Sequence, residues 1–366
     1  MQPPLPITTP RRSGAYTLLA TREYLDQLIQ DIAETTRGDR VLLATMDFNP
    51  TGFKINDLVR ACCEAQKRGV TVTCFIDSHA FLIDPDGHIG PLWYGRMHKP
   101  TANKWFVDSQ AGIKALREAG IHIVLTNPVS RPFTSPFAGR SHIKASIINT
   151  TVYVGGHNLS HQSLDCMVRT DNQQTADWLY TLLMKRAQEP TTLNAWGTKD
   201  ITHQISPTTA LHIDVGVSQQ SLIYDEALRI IDQAQKHILI TCQFFPRGKT
   251  ADRLREAYAR GVKVQIIFNG ASHHAGIGQL VHGAVNLYER AQSPPEFFTS
   301  KLTTASNFLH AKVLASESEA MVGSHNYIIE GVNFGTAEIA LHRKDAAFAA
   351  SAIDLILDET QVKRSI

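Results

Sequence analysis

The sequence has few cysteines, and their spacing excludes two kinds of site. The five cysteines contain no C-x-x-C pair, and two of them are adjacent within an amphipathic helical pattern, so neither a zinc cluster nor a disulfide framework is indicated. The sequence also lacks the apolar stretch of a signal peptide and any run of about 18 apolar residues that could span a membrane. We expect a cytoplasmic protein, at most peripheral on the inner face of the membrane.

The sequence also has no large excess of positive charge. Lys and Arg total 36 and Asp and Glu total 34, which gives a net charge of +2 and an isoelectric point near 8.2. Proteins dedicated to nucleic acid bind it largely by neutralising phosphates, and this charge bias is too weak to indicate one. Apolar residues make up 43% of the 366 residues, which is ample for a core, and the length favours two domains.

Two stretches far apart in the chain follow the same order of elements. Residues 24–79 and 222–274 each show a helical pattern, a β-rich run, a second helical pattern and a second β-rich run. An Arg-Gly-Val triplet ends the second helix of each copy, at 68–70 and 260–262, where the glycine suits a left-handed cap. This alternation predicts a parallel or mostly parallel sheet, covered by helices, in each half.

We therefore divide the chain into an N-terminal extension (1–15) and two similar domains (16–195 and 196–366). The boundary lies in the segment 189–209, which is rich in Thr, Pro and Gly. The first half has extra residues before its motif, and we assign them to an insertion at about 84–106. The insertion contains the aromatic and cationic residues Trp93, Tyr94, His98, Lys99, Lys104, Trp105 and Phe106. Such residues suit a lipid interface, and a small satellite core is the alternative.

One set of four residue types recurs with the same spacing near the end of each half. In each copy, Lys, Gly and Asn follow a histidine at +2, +13 and +16. The first copy is His142, Lys144, Gly155 and Asn158, and the second is His310, Lys312, Gly323 and Asn326. Alternation along a strand puts His and Lys on one face, and a hairpin return brings Gly and Asn alongside. The two sets predict one cleft between the halves in which imidazoles, ammonium groups and amides surround a phosphate.

These residues resemble the signature of the phospholipase D superfamily, H-x-K-x4-D followed by G-[SG]-x-N. The resemblance covers most of the chain and implies two α/β/α sandwich domains related by a pseudo-two-fold axis, with the active site at their interface. It implies no metal and no cofactor. The residues expected to be catalytic are His142, His310, Lys144, Lys312, Asn158, Asn326 and Glu338, and those expected to bind substrate are Gly155, Gly156, Gly323 and Ser324.

The chain departs from this signature at the position where Asp is usual. Asn149 stands there in the first copy and Glu317 in the second. The resemblance implies that this position is more structural than catalytic, so we expect activity to survive the replacement.

The resemblance also implies covalent catalysis, which the chemistry of the residues supports. A neutral imidazole attacks phosphorus, and the second histidine, protonated, donates its proton to the leaving oxygen. Water or an alcohol then reverses these steps. We assign His142 as the nucleophile, and we expect neighbouring carboxylates to set the tautomer of each histidine, with Glu338 as the first candidate and Asp165 as the second.

Three functions are compatible with the sequence. The first is a phospholipid phosphatidyltransferase or hydrolase similar to soluble cardiolipin synthases, working as a monomer on a phospholipid partner. The second is a metal-independent nuclease, the one case in which nucleic acid is a partner. Its basic track would draw on Lys99, Lys104, Arg131 and Arg140. The third is a non-catalytic binding protein of the same fold, which the intact His and Lys pairs disfavour.

Other histidines lie beside the motifs or after strands. His157 and His325 precede the motif asparagines, and we interpret them as packing or solvated residues. His79, His273 and His274 follow corresponding strands, at the end where α/β proteins place ligand loops, although a solvated loop is the commoner outcome.

Overall fold

The computed structural model describes residues 5–6, 8–82, 103–127, 139–160, 162–187, 197, 199–271, 276–302 and 308–366. Among the helices of these segments, none is long and apolar enough to cross a membrane. In chain order the helices are α1 (Thr21–Ala33), α2 (Ile55–Lys67), α3 (Lys104–Glu118), α4 (Gln173–Ala187), α5 (Leu222–Gln233), α6 (Lys249–Ala259), α7 (Gly276–Gln292), α8 (Ile329–Phe334) and α9 (Ala346–Thr360).

The first half forms an eight-stranded sheet in which three neighbouring strands are parallel. The parallel strands are β3, β4 and β5, and the other neighbouring pairs are antiparallel. In spatial order the strands are β1 (Arg11–Ser13), β2 (Tyr16–Ala20), β8 (Cys166–Asp171), β7 (Thr151–Gly155), β6 (Ala145–Ile148), β3 (Arg40–Thr45), β4 (Thr71–Asp77) and β5 (His122–Thr126).

The second half repeats this sheet strand for strand. Its parallel strands are β11, β12 and β13, which correspond to β3, β4 and β5. In spatial order the strands are β9 (Ile201–Ser206), β10 (Thr209–Val215), β16 (Ala337–Arg343), β15 (Ala320–Gly323), β14 (Lys312–Ser316), β11 (His237–Cys242), β12 (Lys263–Asn269) and β13 (Lys301–Leu302).

Both sheets are therefore mixed, and the expectation of parallel or mostly parallel sheets is wrong. The strand–helix alternation that suggested it is confined to the middle of each half. The motif strands are instead joined by tight hairpins, β6 to β7 and β14 to β15, and a short turn requires antiparallel pairing.

Local sequence explains where several elements begin and end. Gly69 and Gly261 have φ of 88° and 90°, so each forms the left-handed cap that the Arg-Gly-Val triplets predicted. Oγ of Ser221 accepts a hydrogen bond from the backbone N–H of Tyr224 at 2.9 Å and caps α5. α2 buries residues at helical spacing against the sheet, namely Ile55, Leu58, Val59, Cys62 and Ala65.

The apolar core has three parts. One cluster lies between the first sheet and α1 and α2, and a second lies between the second sheet and α5 and α6. The third contains residues of both sheets together with α4 and α9. α9 packs on β1 and β2 of the first sheet and on β14 and β15 of the second, and α4 packs on β6 and β7. The expected pair of α/β/α sandwiches is confirmed, and the two sandwiches share their central layer.

Two strands lie in segments that the sequence treated as extension or boundary. β1 falls within residues 1–15 and forms the edge of the first sheet, and β9 falls within residues 189–209. The first half has residues 78–103 between β4 and α3, where the second has only 270–275 between β12 and α7. Most of the extra length therefore precedes α3. Residues 83–102, which include Trp93, Tyr94, His98 and Lys99, lie outside the described residues.

Candidate active site

The two motif histidines are held by backbone hydrogen bonds that cross between the halves. The N–H of His142 donates to the carbonyl of Ala337 at 2.7 Å, and the N–H of Ala337 donates to the carbonyl of Arg140 at 2.9 Å. In the same way the N–H of His310 donates to the carbonyl of Leu164 at 2.8 Å. Each histidine therefore lies beside the beginning of the other half's last sheet strand, β16 or β8, which places both at the interface.

Each histidine also faces a buried carboxylate from the opposite half. Nδ1 of His142 lies 3.0 Å from Oε1 of Glu338, and Nδ1 of His310 lies 2.8 Å from Oδ2 of Asp165. Both carboxylates that the sequence singled out thus lie against a motif histidine, and each serves the histidine of the other copy. A carboxylate at Nδ1 orients each ring and fixes its tautomer.

The electrostatics of the first pair favour a neutral imidazole beside an ionised carboxylate. Burial lowers the pKa of His142, an effect that Glu338 opposes. Burial by itself would raise the pKa of Glu338, but its interaction with His142 lowers it to about 2. For Asp165, burial dominates and raises the pKa. The two pseudo-equivalent carboxylates therefore have different environments.

Neighbouring residues compensate for the difference in length between Glu338 and Asp165. Oγ of Ser324 donates a hydrogen bond to Oε2 of Glu338. In the first copy Gly156 replaces this serine, and a Cβ there would lie 2.2 Å from Oδ1 of Asp165. That oxygen accepts a hydrogen bond from the backbone N–H of Cys166 at 3.0 Å instead. Ser324 and Gly156 therefore position the carboxylates.

The other two motif glycines have a packing reason. A Cβ on Gly155 would lie 2.2 Å from the carbonyl oxygen of Cys166, and one on Gly323 would lie 2.3 Å from that of Ile339. Both positions need glycine because the neighbouring strand is too close for any side chain. The expected role of these glycines in substrate binding stays a prediction.

The motif lysines are buried, and the charge of Lys144 affects the pKa of Lys312. Lys144 and Lys312 are each 1% exposed, and each donates a hydrogen bond to the carbonyl oxygen of the histidine two residues earlier. Burial, together with the charge of Lys144, lowers the pKa of Lys312 to about 7, although the charge of Asp165 opposes this. Burial also lowers the pKa of Lys144. An anion between the two ammonium groups would favour their charged forms.

The two motif asparagines differ in their partners. Asn158 is buried against Asp47, whose backbone N–H donates to Oδ1 of Asn158 at 3.4 Å. Oδ1 of Asn326 has no hydrogen-bond partner among the described residues. Asp47 also lies 3.2 Å from Nδ1 of His79. Sequence reasoning missed Asp47, although a carboxylate just after β3 was the signal. The second half has Phe244 at the corresponding place.

Asn149 and Glu317, which replace the usual Asp of the signature, accept hydrogen bonds from backbone groups far from the histidines. Oδ1 of Asn149 accepts a hydrogen bond from the backbone N–H of Arg40 at 3.1 Å, and Oε1 of Glu317 accepts one from the N–H of Gln235 at 2.9 Å. Asn149 follows Lys144 by five residues, or about 16 Å along an extended strand. Both residues secure the start of the neighbouring strand, which fits the structural role expected for this position.

Several residues near the motifs do not have the roles considered for them. Phe106 is fully buried in α3, which is a correction to the interpretation that it contacts lipid. Arg140 is 1% exposed and pairs with Asp77 at 3.0 Å, so it is not part of an exposed basic track. His157 and His325 are buried, as a packing role predicts. Arg131, His273 and His274 lie outside the described residues.

Comparison with known proteins decides the family. A family model described as the phospholipase D-like domain of cardiolipin synthase matches residues 28–182 and 227–356. The chain belongs to this family. The matched segments cover about three quarters of the sequence and contain both motifs. As a member of the phospholipase D superfamily, the protein is a phosphodiesterase or phosphatidyltransferase, and the predicted family is confirmed.

Solved structures show the same fold at low sequence identity. Phosphatidylserine synthase from Haemophilus influenzae Rd KW20 is 14% identical, with a TM-score of 0.67 over 98% of this chain and 88% of that chain. Polyphosphate kinase from Porphyromonas gingivalis is 12% identical, with a TM-score of 0.55 over 94% of this chain and 50% of that chain. Among curated protein sequences no significant match is found.

Proposed function

We propose that this phospholipase D-like protein transfers or hydrolyses the phosphatidyl group of a glycerophospholipid through a phosphohistidine intermediate. One observation carries the proposal. Each motif histidine meets a buried carboxylate of the opposite half through Nδ1, at 3.0 Å for His142 and 2.8 Å for His310. This arrangement supplies two oriented imidazoles at one interface, as covalent phosphoryl transfer requires.

In the first step, Nε2 of His142 attacks phosphorus and forms the N–P bond. The bond from phosphorus to the leaving alcohol breaks, and His310, protonated, gives that oxygen its proton. In the second step, His310 takes a proton from water or an acceptor alcohol, whose oxygen attacks phosphorus and releases His142. The lowered pKa of His142 supports its assignment as nucleophile, because a neutral ring is required for attack.

Charge on the phosphoryl oxygens is stabilised by groups that are fixed before the substrate binds. Lys144 and Lys312 are buried and tied to the carbonyls of the two histidine residues. Preorganised donors of this kind contribute much of the rate enhancement in many enzymes.

A lipid substrate is favoured over nucleic acid by charge and by family. The net charge is only +2, and Arg140, one of the cations of the proposed basic track, is neutralised by Asp77. The matching family model is that of cardiolipin synthase, and one solved structure of the same fold is a phosphatidylserine synthase. Because both motifs lie in one chain, we propose that a monomer is active and meets its phospholipid at the cytoplasmic face of a membrane.

The proposal is tested by analysing products with vesicles that contain phosphatidylglycerol labelled in its phosphate. We expect labelled phosphatidic acid or a transfer product, and no cleavage of single-stranded DNA under the same conditions. His142→Asn and His310→Asn should each remove nearly all turnover, because the two histidines act as one unit and their losses do not add. His122→Asn, at an exposed position of β5, is the matched control and should keep full activity. Robust cleavage of DNA without action on vesicles would favour the nuclease.

A further inference from the structure

The second sheet carries a polar cluster that the proposed reaction does not use. His212 on β10, His342 on β16 and Glu226 on α5 each bring one ligating atom to within 4.8 Å of the others. The two histidines are only 6% and 4% exposed, and Glu226 is half-buried. Buried imidazoles that converge with a carboxylate are a common donor set for a divalent transition metal.

One nitrogen of this cluster has no hydrogen-bond partner among the residues that the structure describes. It is Nε2 of His212, whereas Nδ1 of the same ring lies 3.1 Å from Oγ1 of Thr202. A buried polar atom without a partner destabilises a fold, so such atoms call for an explanation. When Nδ1 donates its proton to Thr202, Nε2 keeps a lone pair that is free to bind a cation.

The other two residues are oriented as metal ligands usually are. Nε2 of His342 lies 2.7 Å from Oε2 of Glu319, and a carboxylate on the remote nitrogen fixes the tautomer of a ligating histidine. Nδ1 of His342 lies 3.2 Å from Oε1 of Glu226. Two ligands on a tetrahedral zinc ion are about this far apart when the bonds are about 2.0–2.1 Å. Arg229 holds Glu226 in place by a hydrogen bond of 2.9 Å.

We propose that His212, His342 and Glu226 bind a divalent transition metal, with zinc as the expected ion and water as the fourth ligand. The ion would link β10, β16 and α5, and it would act structurally. His342 follows Glu338 by four residues on β16, or about 13 Å along the strand, so the metal lies outside the phosphoryl-transfer site. The sequence did not predict this site because its ligands come from three elements far apart in the chain.

A buried ion-pair network is the competing arrangement. Arg229 also donates to Glu319, through Nη1 at 3.2 Å and Nη2 at 2.5 Å. Arg229, with His342 between the two carboxylates, would then hold Glu226 and Glu319 together without any ion. The two arrangements differ in the number of metal ions bound per chain, which is measurable.

The test is a titration of the full-length protein, stripped with a chelator and dialysed, with Co²⁺ as a spectroscopic probe and Zn²⁺ as the expected ion. We expect one equivalent of Co²⁺ with the visible absorption of a tetrahedral site, displaced by Zn²⁺. Saturating Zn²⁺ at about 100 times the dissociation constant should raise the Tm by roughly 5 °C. His212→Gln and Glu226→Gln should abolish the absorption and the Tm shift.

His203→Gln is the matched control, because His203 pairs with Leu211 and therefore lies on the opposite face of the sheet from His212. This variant should bind cobalt like the wild type. Circular dichroism checks that each variant folds, and Glu226→Gln, at a half-buried position, serves if His212→Gln does not fold. Metal binding by the wild type well below one equivalent, or tetrahedral absorption that survives in folded His212→Gln or Glu226→Gln, would overturn the proposal and favour the ion-pair network.

Discussion

At the scale of the residue, the two copies of the motif reach one geometry with different side chains. The longer Glu338 is held by the hydroxyl of Ser324, whereas the shorter Asp165 is held by a backbone N–H and needs Gly156 beside it. The sequence predicted the histidines and both carboxylates as candidates. It could not predict that each carboxylate serves the histidine of the other half, because this exchange depends on how the two halves pack.

We predict that Glu338→Gln lowers kcat about 10²-fold or more while KM changes little. The variant removes the negative charge that orients His142 and stabilises its protonated form. Because Glu338 raises the pKa of His142, the acid limb of the pH profile of kcat/KM should also move to lower pH. Steady-state kinetics on vesicles measure both effects. Glu64→Gln, on the exposed side of α2, is the control. An unchanged kcat would show that Glu338 does not position the catalytic histidine.

Anion binding should weaken as the pH rises through about 7. The pKa of Lys312 is about 7 in the folded protein because the side chain is buried, so this ammonium group loses its proton above that pH. Affinity for a soluble phosphodiester, whose charge is constant from pH 5 to 9, should fall by up to tenfold per pH unit above 7. Calorimetric titration between pH 6 and 9 measures this affinity. An affinity independent of pH between 6 and 9 would contradict a role of charged Lys312 in binding the phosphate.

The same lysine affects stability with a defined sign. In the unfolded chain its pKa is near 10.4, so between about pH 7 and 10 the unfolded state binds more protons at this residue than the folded state does. Its contribution to the free energy of unfolding therefore rises with pH across that window.

At the scale of the element, the hairpins that carry the motifs are fixed at both ends. The histidine end is held by the opposite half, and the far end by Asn149 or Glu317, which accept backbone hydrogen bonds from the neighbouring strand. Sequence patterns predicted the hairpins and the glycine caps, since these depend on local conformation. They did not predict mixed sheets, because strand order and direction depend on contacts between distant segments.

We predict that Glu317→Ala destabilises the protein by about 0.5–1.5 kcal/mol, because it removes the acceptor of partly exposed backbone N–H groups at the start of β11. The kcat at 25 °C should stay close to that of the wild type, since Glu317 lies at the far end of β14. Urea unfolding and kinetics on vesicles measure the two quantities. A large loss of kcat in a folded variant would assign this position to the chemistry instead.

At the scale of the whole molecule, two similar halves each contribute residues to one candidate site. The repeat in the sequence predicted two related sandwiches and a shared cleft. The central layer of α4 and α9 was not predictable, because α9 contacts strands of both sheets and only the assembled molecule shows this. The halves also differ near the site, where Asp47 in the first corresponds to Phe244 in the second.

The segment before α3 belongs to one half only, and we predict that it contributes to lipid binding. Shortening residues 84–102 to a length like that of the second half, with α3 and its N-cap Asn103 kept, should reduce activity on vesicles far more than on a small soluble phosphodiester. Its aromatic and cationic residues suit a lipid interface. Vesicle sedimentation should show the same loss in binding. Equal losses on both substrates would instead indicate a role in folding.

The central claim is that phosphoryl transfer proceeds through a phosphohistidine on His142. The most direct measurement is rapid acid-free quenching of the enzyme with phosphate-labelled phosphatidylglycerol, followed by mapping of the labelled peptide by mass spectrometry under basic conditions. The wild type should give a labelled adduct on the peptide that contains His142, and His142→Asn should give none. A label confined to the peptide of His310 would reverse the two roles, and turnover without any labelled histidine would contradict the covalent mechanism itself.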